Sequence, residues 1–444
     1  MTTARTTPPH VARLWSDLYP HVAYRPVANL PSCAREFKVW VYDLNRTFNG
    51  ALLDSMERRR GTSSCDYERA ACVESTRSRS RPDGWDYSNL RQYAAEVPLL
   101  AKLLRMQHAA TPQDADLIVV PWLASTELSG HAYTPWYPRN QRTAARFEQV
   151  RSALTHLEST ALASRHLFLS SRDWTFSIAK LKELVASSGA LLVTYGPSTR
   201  PTEIVAAPNS AGFGLPLRRL VHPARFFVFA MMDESINPIR RDYGRELRRL
   251  NASRPDLGVA YHPIGDHRSI PLPPQRVHSL MSRSLLCPIV QGDLPYQHRL
   301  FDALVAGCVP LFLRYNALDA KGQPCEAWSW DAQNKSAMRP VARATLPFTV
   351  CARQQLPFFS RIDWSAISAH VPADALREGR LAEAIASLDR AELERKRRRL
   401  EALRGHFIYE WDESAAAPDA FSSTMAEICG VLRAQRHRAW RGDV

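Results

Sequence analysis

The sequence predicts an α/β protein of two domains, each built on a parallel sheet. Three observations predict it. Short apolar runs alternate with segments of helical periodicity along most of the chain. A proline-rich passage, residues 197–223, divides that alternation into two sets. Residues 287–313 then read as strand, glycine turn, helix, glycine turn, strand. Two apolar runs joined by one helix make a βαβ unit with parallel strands.

In chain order, residues 1–35 read as a disordered, proline-bearing leader. Residues 37–42 form a first strand that stops at Asp43, and the Arg- and Ser-rich stretch 52–83 reads as an insertion or loop. Residues 93–109 are helical, with Val97, Leu100, Leu103 and Leu104 on one side; strand 117–120 follows and ends at Pro121. Helix 143–161, strand 166–170, helix 178–186 and strand 191–194 continue the pattern. Beyond the proline-rich passage the second set opens with strand 226–230 and helix 243–250. It runs on through a helix before Arg283, the central unit and the strand-forming residues 346–350. Asp389 and Glu392 make a capping-box pattern for a helix that ends at Gly405. The expected division is a leader over 1–35, an N-terminal α/β domain over 36–220, a C-terminal α/β domain over 221–410 and a helical extension over 411–444.

The central unit carries the candidate site. Its first strand, 285–290, stops at Gly292-Asp293, and Leu294-Pro295 prevents it from continuing. The helix from His298 to Ala306 places Leu300, Phe301, Leu304 and Val305 on one face, and Gly307 ends it. In open parallel sheets ligands collect at the carboxyl ends of strands, where helix N-termini offer free N–H groups and a positive dipole end. The turn over 292–298 is such a place. Arg299 and Asp302 sit three apart near the helix start, off its apolar face. A guanidinium there suits a diphosphate, because its planar fork binds phosphate oxygens in pairs, and a carboxylate one turn on suits sugar hydroxyls. The alternative is an intrahelical Arg–Asp pair on a solvated face.

The block Gly292-Asp293-x-Pro295-x-x-x-Arg299-Leu300-Phe301-Asp302-Ala303-x-x-x-Gly307-Cys308-Val309-Pro310 resembles the nucleotide-sugar signature of exostosin-type glycosyltransferases. Other stretches agree with that family in the right order, over residues 37–421. They are Phe37-Lys38-Val39-Trp40-Val41-Tyr42-Asp43, Asp114-Ala115-Asp116 with the strand after it, Ser170-Ser171-Arg172-Asp173-Trp174, Gly244-Arg245-Glu246-Leu247, Ile362-Asp363-Trp364-Ser365 and Asp419-Ala420-Phe421. Gln297 stands where the family usually carries Ser.

The resemblance implies a GT-B fold: two Rossmann-like domains facing a cleft, with a C-terminal helix packing back. The C-terminal domain would hold the nucleotide sugar and the N-terminal domain would present the acceptor. The donor-binding set it implies is Arg245, Gly292, Asp293, His298, Arg299, Asp302 and Gly307. Arg245 belongs there as part of a Gly-x-Arg element; its alternative is an exposed arginine on an Arg-rich helix. The implied activity is an inverting transfer from a nucleotide sugar, UDP-sugar favoured, to a polysaccharide or glycoprotein glycan in the Golgi lumen or membrane. An inactive partner subunit or glycan-binding protein is the alternative that Gln297 motivates. A homo- or heterodimer is left open.

No Cys/His cluster offers a zinc site. Asp114-Ala115-Asp116 mimics a metal-binding pair but comes before its strand, so Asp114 reads as a cap or turn residue and Asp116 as a packing group. No metal or cofactor is expected, and the departing diphosphate is left to Arg299, Arg245 and backbone dipoles. Asp173, directly after a strand, is the candidate base for the acceptor hydroxyl, with Trp174 as a sugar-stacking surface. A structural Asp173 that caps the following turn is the other reading.

Composition sets outer limits. The 444 residues admit two domains of ordinary size, and 45% hydrophobic with 23% charged residues suits a soluble globular chain. No apolar run approaches the roughly 18 to 20 residues of a membrane span, and residues 1–10 lack a signal-peptide pattern. The family's usual N-terminal membrane anchor is therefore not in evidence. The net charge of +14 permits anionic partners without naming one. A nucleic-acid binder would rest on that charge alone, and the run Arg395-Lys396-Arg397-Arg398-Arg399 reads as a solvated helix face. Of the 8 cysteines, Cys65, Cys72, Cys325 and Cys351 are candidates for two disulfides, whereas Cys287 and Cys308 read as buried free thiols. Sequons at Asn45, Asn251 and Asn334 tilt toward the secretory pathway.

Overall fold

The computed structural model describes residues 7–18, 24–49, 96–125, 139–170, 176–194, 203–205, 220, 222–235, 238–264, 272, 274–290, 298–318, 323–328, 356–409 and 418–441. The chain divides into two units, residues 1–80, 86–210 and 408–444 in the first and 81–85 and 211–407 in the second. Both are α/β, as the alternating pattern predicts.

The first unit opens with helix α1 (Pro9–Leu18), which buries Val11, Leu14 and Trp15. That spacing is one helical face. This part of the expected disordered leader is therefore packed structure. Strands β1 (Lys38–Val41), β2 (Gln107–His108), β3 (Leu117–Val119), β4 (His166–Ser170), β5 (Leu191–Thr194) and β6 (Glu203–Val205) form a sheet in the order β2-β1-β3-β4-β5-β6. All of its pairings are parallel. Helices α2 (Glu96–Leu104), α3 (Arg139–Ala153) and α4 (Phe176–Ser188) are its crossovers. Every residue of β3, β4 and β5 is buried, which is why those strands read as unbroken apolar runs.

Asp114 and Asp116 take the parts their position predicts. The Thr111 hydroxyl donates to the Asp114 carboxylate at 2.7 Å and closes a turn. Asp116 accepts the Lys38 amide at 3.1 Å, at the amino ends of β1 and β3. His166, at the start of β4, is sealed in the core: Leu162 O lies 3.0 Å from its Nδ1 and the Tyr42 hydroxyl 2.9 Å from its Nε2. Burial pushes its pKa down to about 4.

The second unit runs β7 (Phe226–Asp233), α5 (Pro238–Ser253), β8 (Val259–Ile264), α6 (Pro274–Ser282), β9 (Ser284–Ile289), α7 (His298–Ala306), β10 (Val309–Leu318), β11 (Pro324–Trp328), β12 (Ala369–Pro372) and α8 (Arg390–Leu403). Its sheet order is β11-β10-β9-β7-β8, with β12 also on β10, and only the β10–β11 pair is antiparallel. Asp389 caps α8 by accepting the Ala391 amide at 2.8 Å. The expected strand at 346–350 lies outside the described residues.

Cys287 and Cys308 correct one expectation, since they form a disulfide rather than two free thiols. Strands β9 and β10 are hydrogen-bonded neighbours, and Cys308 immediately precedes β10. The two Cα atoms are thus 5.7 Å apart, within bridging distance. Cys325 is also disulfide-bonded, while Cys65, Cys72 and Cys351 lie outside the described residues.

Helix α9 (Ala420–Arg441) returns to the first unit. Asp419 holds its start with both oxygens: Oδ1 accepts the Ser422 amide at 2.8 Å, and Oδ2 lies 2.8 Å from Lys102 Nζ. That ion pair is buried. Farther along, Cys429 is bonded to Cys33, just before β1. Among the described residues no helix is long and apolar enough to cross a membrane.

Two outcomes are expected. Asp419→Ala removes a cap and strands the Lys102 charge, so urea unfolding should show a loss of about 3–5 kcal/mol; the paired change Lys102→Met with Asp419→Leu should recover most of it. Because folded His166 holds a pKa of about 4 and an unfolded histidine about 6.5, only the unfolded chain takes up the proton between those values. Stability is therefore full above pH 6.5 and falls toward pH 4, by on the order of 3 kcal/mol from this group. His166→Gln should flatten that slope in pH-dependent denaturation.

Candidate active site

The topology of the second unit marks one edge of its sheet. From β7 the chain steps out to β8 and then crosses back to β9 on the other side of β7. The strand order reverses there, and the carboxyl ends of strands flanking such a reversal are where open α/β sheets bind ligands. Helix α5 starts beyond the carboxyl end of β7, and α7 starts beyond that of β9. Two helix N-termini therefore open at the same edge.

Helix α7 has the face its periodicity predicts. Leu300, Phe301, Leu304 and Val305 are fully buried. Asp302 is buried too, at 2% exposure, whereas the Arg299 side chain keeps 27%. Arg299 Nη1 lies 3.8 Å from Asp302 Oδ2, too long for a hydrogen bond. The pair is therefore not on a solvated face: the partly exposed Arg299 side chain lies beside an inward carboxylate. Of the other expected donor residues, Gly292 and Asp293, with Gln297, lie outside the described residues. His298 is the first residue of α7, its side chain outside the described ones.

The far end of α7 is clamped. Gly307 takes a left-handed φ of +72°, which favours glycine, and a Cβ there would also force the tip of the Leu220 side chain to shift. Arg397 of α8 donates through Nε to the Gly307 carbonyl at 3.1 Å and through Nη2 to the Ser282 carbonyl at 2.6 Å. Arg404 donates through Nε to the Val305 carbonyl at 2.6 Å. Both guanidiniums are buried, and burial pulls that of Arg404 down to about 10. At neutral pH both stay charged, opposite the negative end of the helix.

Two carboxylates complete this clamp. Glu394 accepts the Ala224 amide and Glu401 the Leu220 amide, each at 2.9 Å. The His222 ring lies between them, 3.2 Å from Glu394 and 3.1 Å from Glu401. Burial alone would raise the Glu394 carboxyl, but the Ala224 amide, His222 and Arg397 together hold it below the usual range.

Arg245 is not brought to this edge. It sits seven residues into α5, about 10 Å along the axis from its start, with a side chain 62% exposed and paired to Asp242 at 3.1 Å. Its neighbours show what the motif does. A Cβ on Gly244 would land on the Glu234 carboxylate and the Tyr261 hydroxyl, Glu246 accepts the Ala382 amide at 3.2 Å, and Leu247 is in the core. The arginine that the fold does bury near the start of α5 is Arg240, at 5% exposure. Its signal in the sequence was position: it follows directly on the strand–turn, on the face shared with Tyr243 and Leu247.

In the first unit a polar layer lies at the carboxyl ends of the central strands. The Ser125 amide donates to Glu96 at 2.8 Å, and the Ser125 and Ser170 hydroxyls are 3.2 Å apart, all three residues buried. Neither Glu96 nor Ser125 is distinctive in the sequence. Ser170 ends β4, three residues before Asp173; Asp173 and Trp174 lie outside the described residues. Among the described residues no group of three or more His, Cys, Asp or Glu side chains could hold a metal ion.

Arg397→Met should cost about 3–5 kcal/mol in urea unfolding, because it leaves the Gly307 and Ser282 carbonyls without their donor and Glu394 without the cation beside it. A loss below ~1 kcal/mol, the range of a surface pair, would contradict the clamp.

Comparison with known proteins shows the family of the chain. A family model described as the Exostosin GT47 domain matches residues 33–388. Xyloglucan galactosyltransferase MUR3 of Arabidopsis thaliana is 23% identical over 305 residues, 62% of this chain and 47% of that protein. The chain thus spans about half the length of this curated relative. The crystal structure of CalG4, the calicheamicin glycosyltransferase, matches over 81% of this chain and 96% of its own at 12% identity, with a TM-score of 0.29 that carries no weight for the fold. The family match takes in both sheets and the whole β9–α7–β10 unit, and the chain belongs to the exostosin GT47 family.

Proposed function

We propose that this chain is an inverting glycosyltransferase that takes a sugar from a nucleotide sugar, UDP-sugar favoured, and transfers it to a glycan of a polysaccharide or glycoprotein. The observation that carries the reading is Arg299 over the buried Asp302 at the start of α7, where the strand order reverses. Family membership and the relative that is a xyloglucan galactosyltransferase support it.

In this reading the diphosphate lies against the first turn of α7, its charge met by free N–H groups and by the Arg299 fork. Gly292, Asp293 and His298, from the same signature, are assigned to the donor, and Asp302 lies beside Arg299. Arg240, rather than Arg245, is the second guanidinium. An acceptor hydroxyl attacks the anomeric carbon from the face opposite the diphosphate. The bond from that carbon to the diphosphate oxygen breaks, and its electron pair leaves on the diphosphate. Asp173 takes the hydroxyl proton, and Trp174 stacks on the acceptor sugar. Fixed positive charge and backbone dipoles replace a divalent metal in stabilising the leaving group. The disulfides Cys33–Cys429 and Cys287–Cys308 support an oxidising compartment, the Golgi lumen on the family's pattern.

The test is UDP binding by calorimetry with and without EDTA, followed by hydrolysis of UDP-sugars. Arg299→Ala should weaken UDP by roughly 10- to 100-fold, Arg299→Lys by less, and Arg245→Ala not at all. Unchanged affinity in Arg299→Ala would refute the site. UDP binding without turnover of any UDP-sugar would instead favour an inactive partner subunit, the reading that Gln297 raises.

A further inference from the structure

The Arg-rich run of α8 is not one surface. Arg397 turns inward to clamp α7, whereas Arg395, Lys396, Arg398 and Arg399 line one wall of an open groove. The opposite wall is Asp363, Ser365 and Ala366, from the single helical turn that Asp363 caps, whose Trp364 is turned into the core. The groove has a volume of about 570 Å³, well within the range of ligand sites.

Two carboxylates border it, and both are engaged. Asp363 accepts the Ser365 hydroxyl and the amides of Ser365 and Ala366, the latter two at 3.1 and 3.3 Å. Those bonds, Ser365's first, hold its carboxyl below the usual range. Glu392 lies 3.4 Å from the Lys396 ammonium, which also donates to the Ser365 carbonyl and so bolts the two walls together. The remaining cations are only loosely partnered, Arg399 acting on the Asp363 carboxylate through its charge. Arg395 reaches Asp389 only at 3.9 Å, with both side chains 60% exposed. Arg398 and Arg399 have no ion pair within 4.0 Å among the described residues.

Along the helix, Arg395 stands about 5 Å from the Arg398–Arg399 pair, close to the length of one pyranose unit. The spacing suits acidic groups carried on successive sugars, each met by a guanidinium fork. Other polyanions fit less well. Among the described residues no aromatic ring lines the groove, so it lacks the stacking platform of single-stranded nucleic-acid sites, and no large apolar side chain is there to enter a membrane surface.

We propose that this groove is a secondary glycan-binding site, separate from the α7 edge, that holds an acidic oligosaccharide by its carboxylate or sulfate groups. The choice of a glycan as occupant rests on the transferase reading; the charge of the groove does not.

The test uses the intact chain and fluorescent oligogalacturonate and dextran sulfate fragments. Neutral dextran and phosphatidylserine vesicles serve as controls, at low and high salt. The unmodified protein should bind at least one acidic oligosaccharide and neither control, and the two acidic probes tell carboxylate from sulfate recognition. The triple variant Arg395→Gln, Arg398→Gln, Arg399→Gln changes exposed side chains only, so its melting temperature should hold while that affinity falls roughly tenfold or more. Its UDP affinity should not change, and Arg299→Ala should leave the acidic glycan bound. Acidic-glycan binding that depends on these arginines without any UDP binding would uphold the groove while the transferase reading fails. Equal affinity in the triple variant, equal binding of neutral dextran, or binding of the vesicles alone would overturn the groove.

Discussion

A helix inside an α/β unit has two ends to satisfy, and in this protein they are treated differently. The carbonyl end of α7 points into the protein, where unpaired acceptors are costly, and the buried guanidiniums of Arg397 in α8 and of Arg404 just beyond it meet the Gly307 and Val305 carbonyls. Two buried cations would be unfavourable alone. Glu394 and Glu401, anchored on the Ala224 and Leu220 amides with His222 between them, make the arrangement tolerable. In the proposed function the amino end is where the donor diphosphate binds. Fixing one end of a short helix fixes the other, so Arg299 is held by packing that lies a full helix length away.

The same economy explains the family-like fragments scattered along the chain. Several of them pack rather than bind. Asp116 ties β3 to β1, Gly244 lets α5 approach Glu234 and Tyr261, Trp364 fills the core beneath the Asp363-capped turn, and Asp419 locks α9 to Lys102. The disulfides act at the same joints: Cys287–Cys308 staples β9 to the turn before β10, and Cys33–Cys429 staples α9 beside β1. What is left for chemistry is a small set at strand ends.

Much of the fold was legible because buried parallel strands are apolar without interruption. Residues 166–170, 191–194 and the helix His298–Ala306 stand where the pattern puts them. Elements with mixed patterns were not legible. Strand β8 is half-buried and carries His262 and Pro263, β12 is only four residues long, and α1 is a single amphipathic stretch in a proline-bearing context. For the site, Arg299 and Asp302 could be found because glycines and periodicity fix their place on α7. That Arg240 is buried and Arg245 exposed could not be read from an Arg-rich helix, since only the packed face separates them. The Cys287–Cys308 bond was hidden for a related reason: it depends on β9 and β10 being neighbours, which spacing alone does not reveal.

The most direct measurement is photo-crosslinking with a UDP-sugar that carries an azide on the uracil ring, mapped by peptide mass spectrometry. A donor held at the reversal of strand order predicts adducts in the segments that follow β7 and β9, residues 234–242 and 291–302, competed away by UDP. Competable adducts confined to residues 36–210 would contradict a donor site on α7.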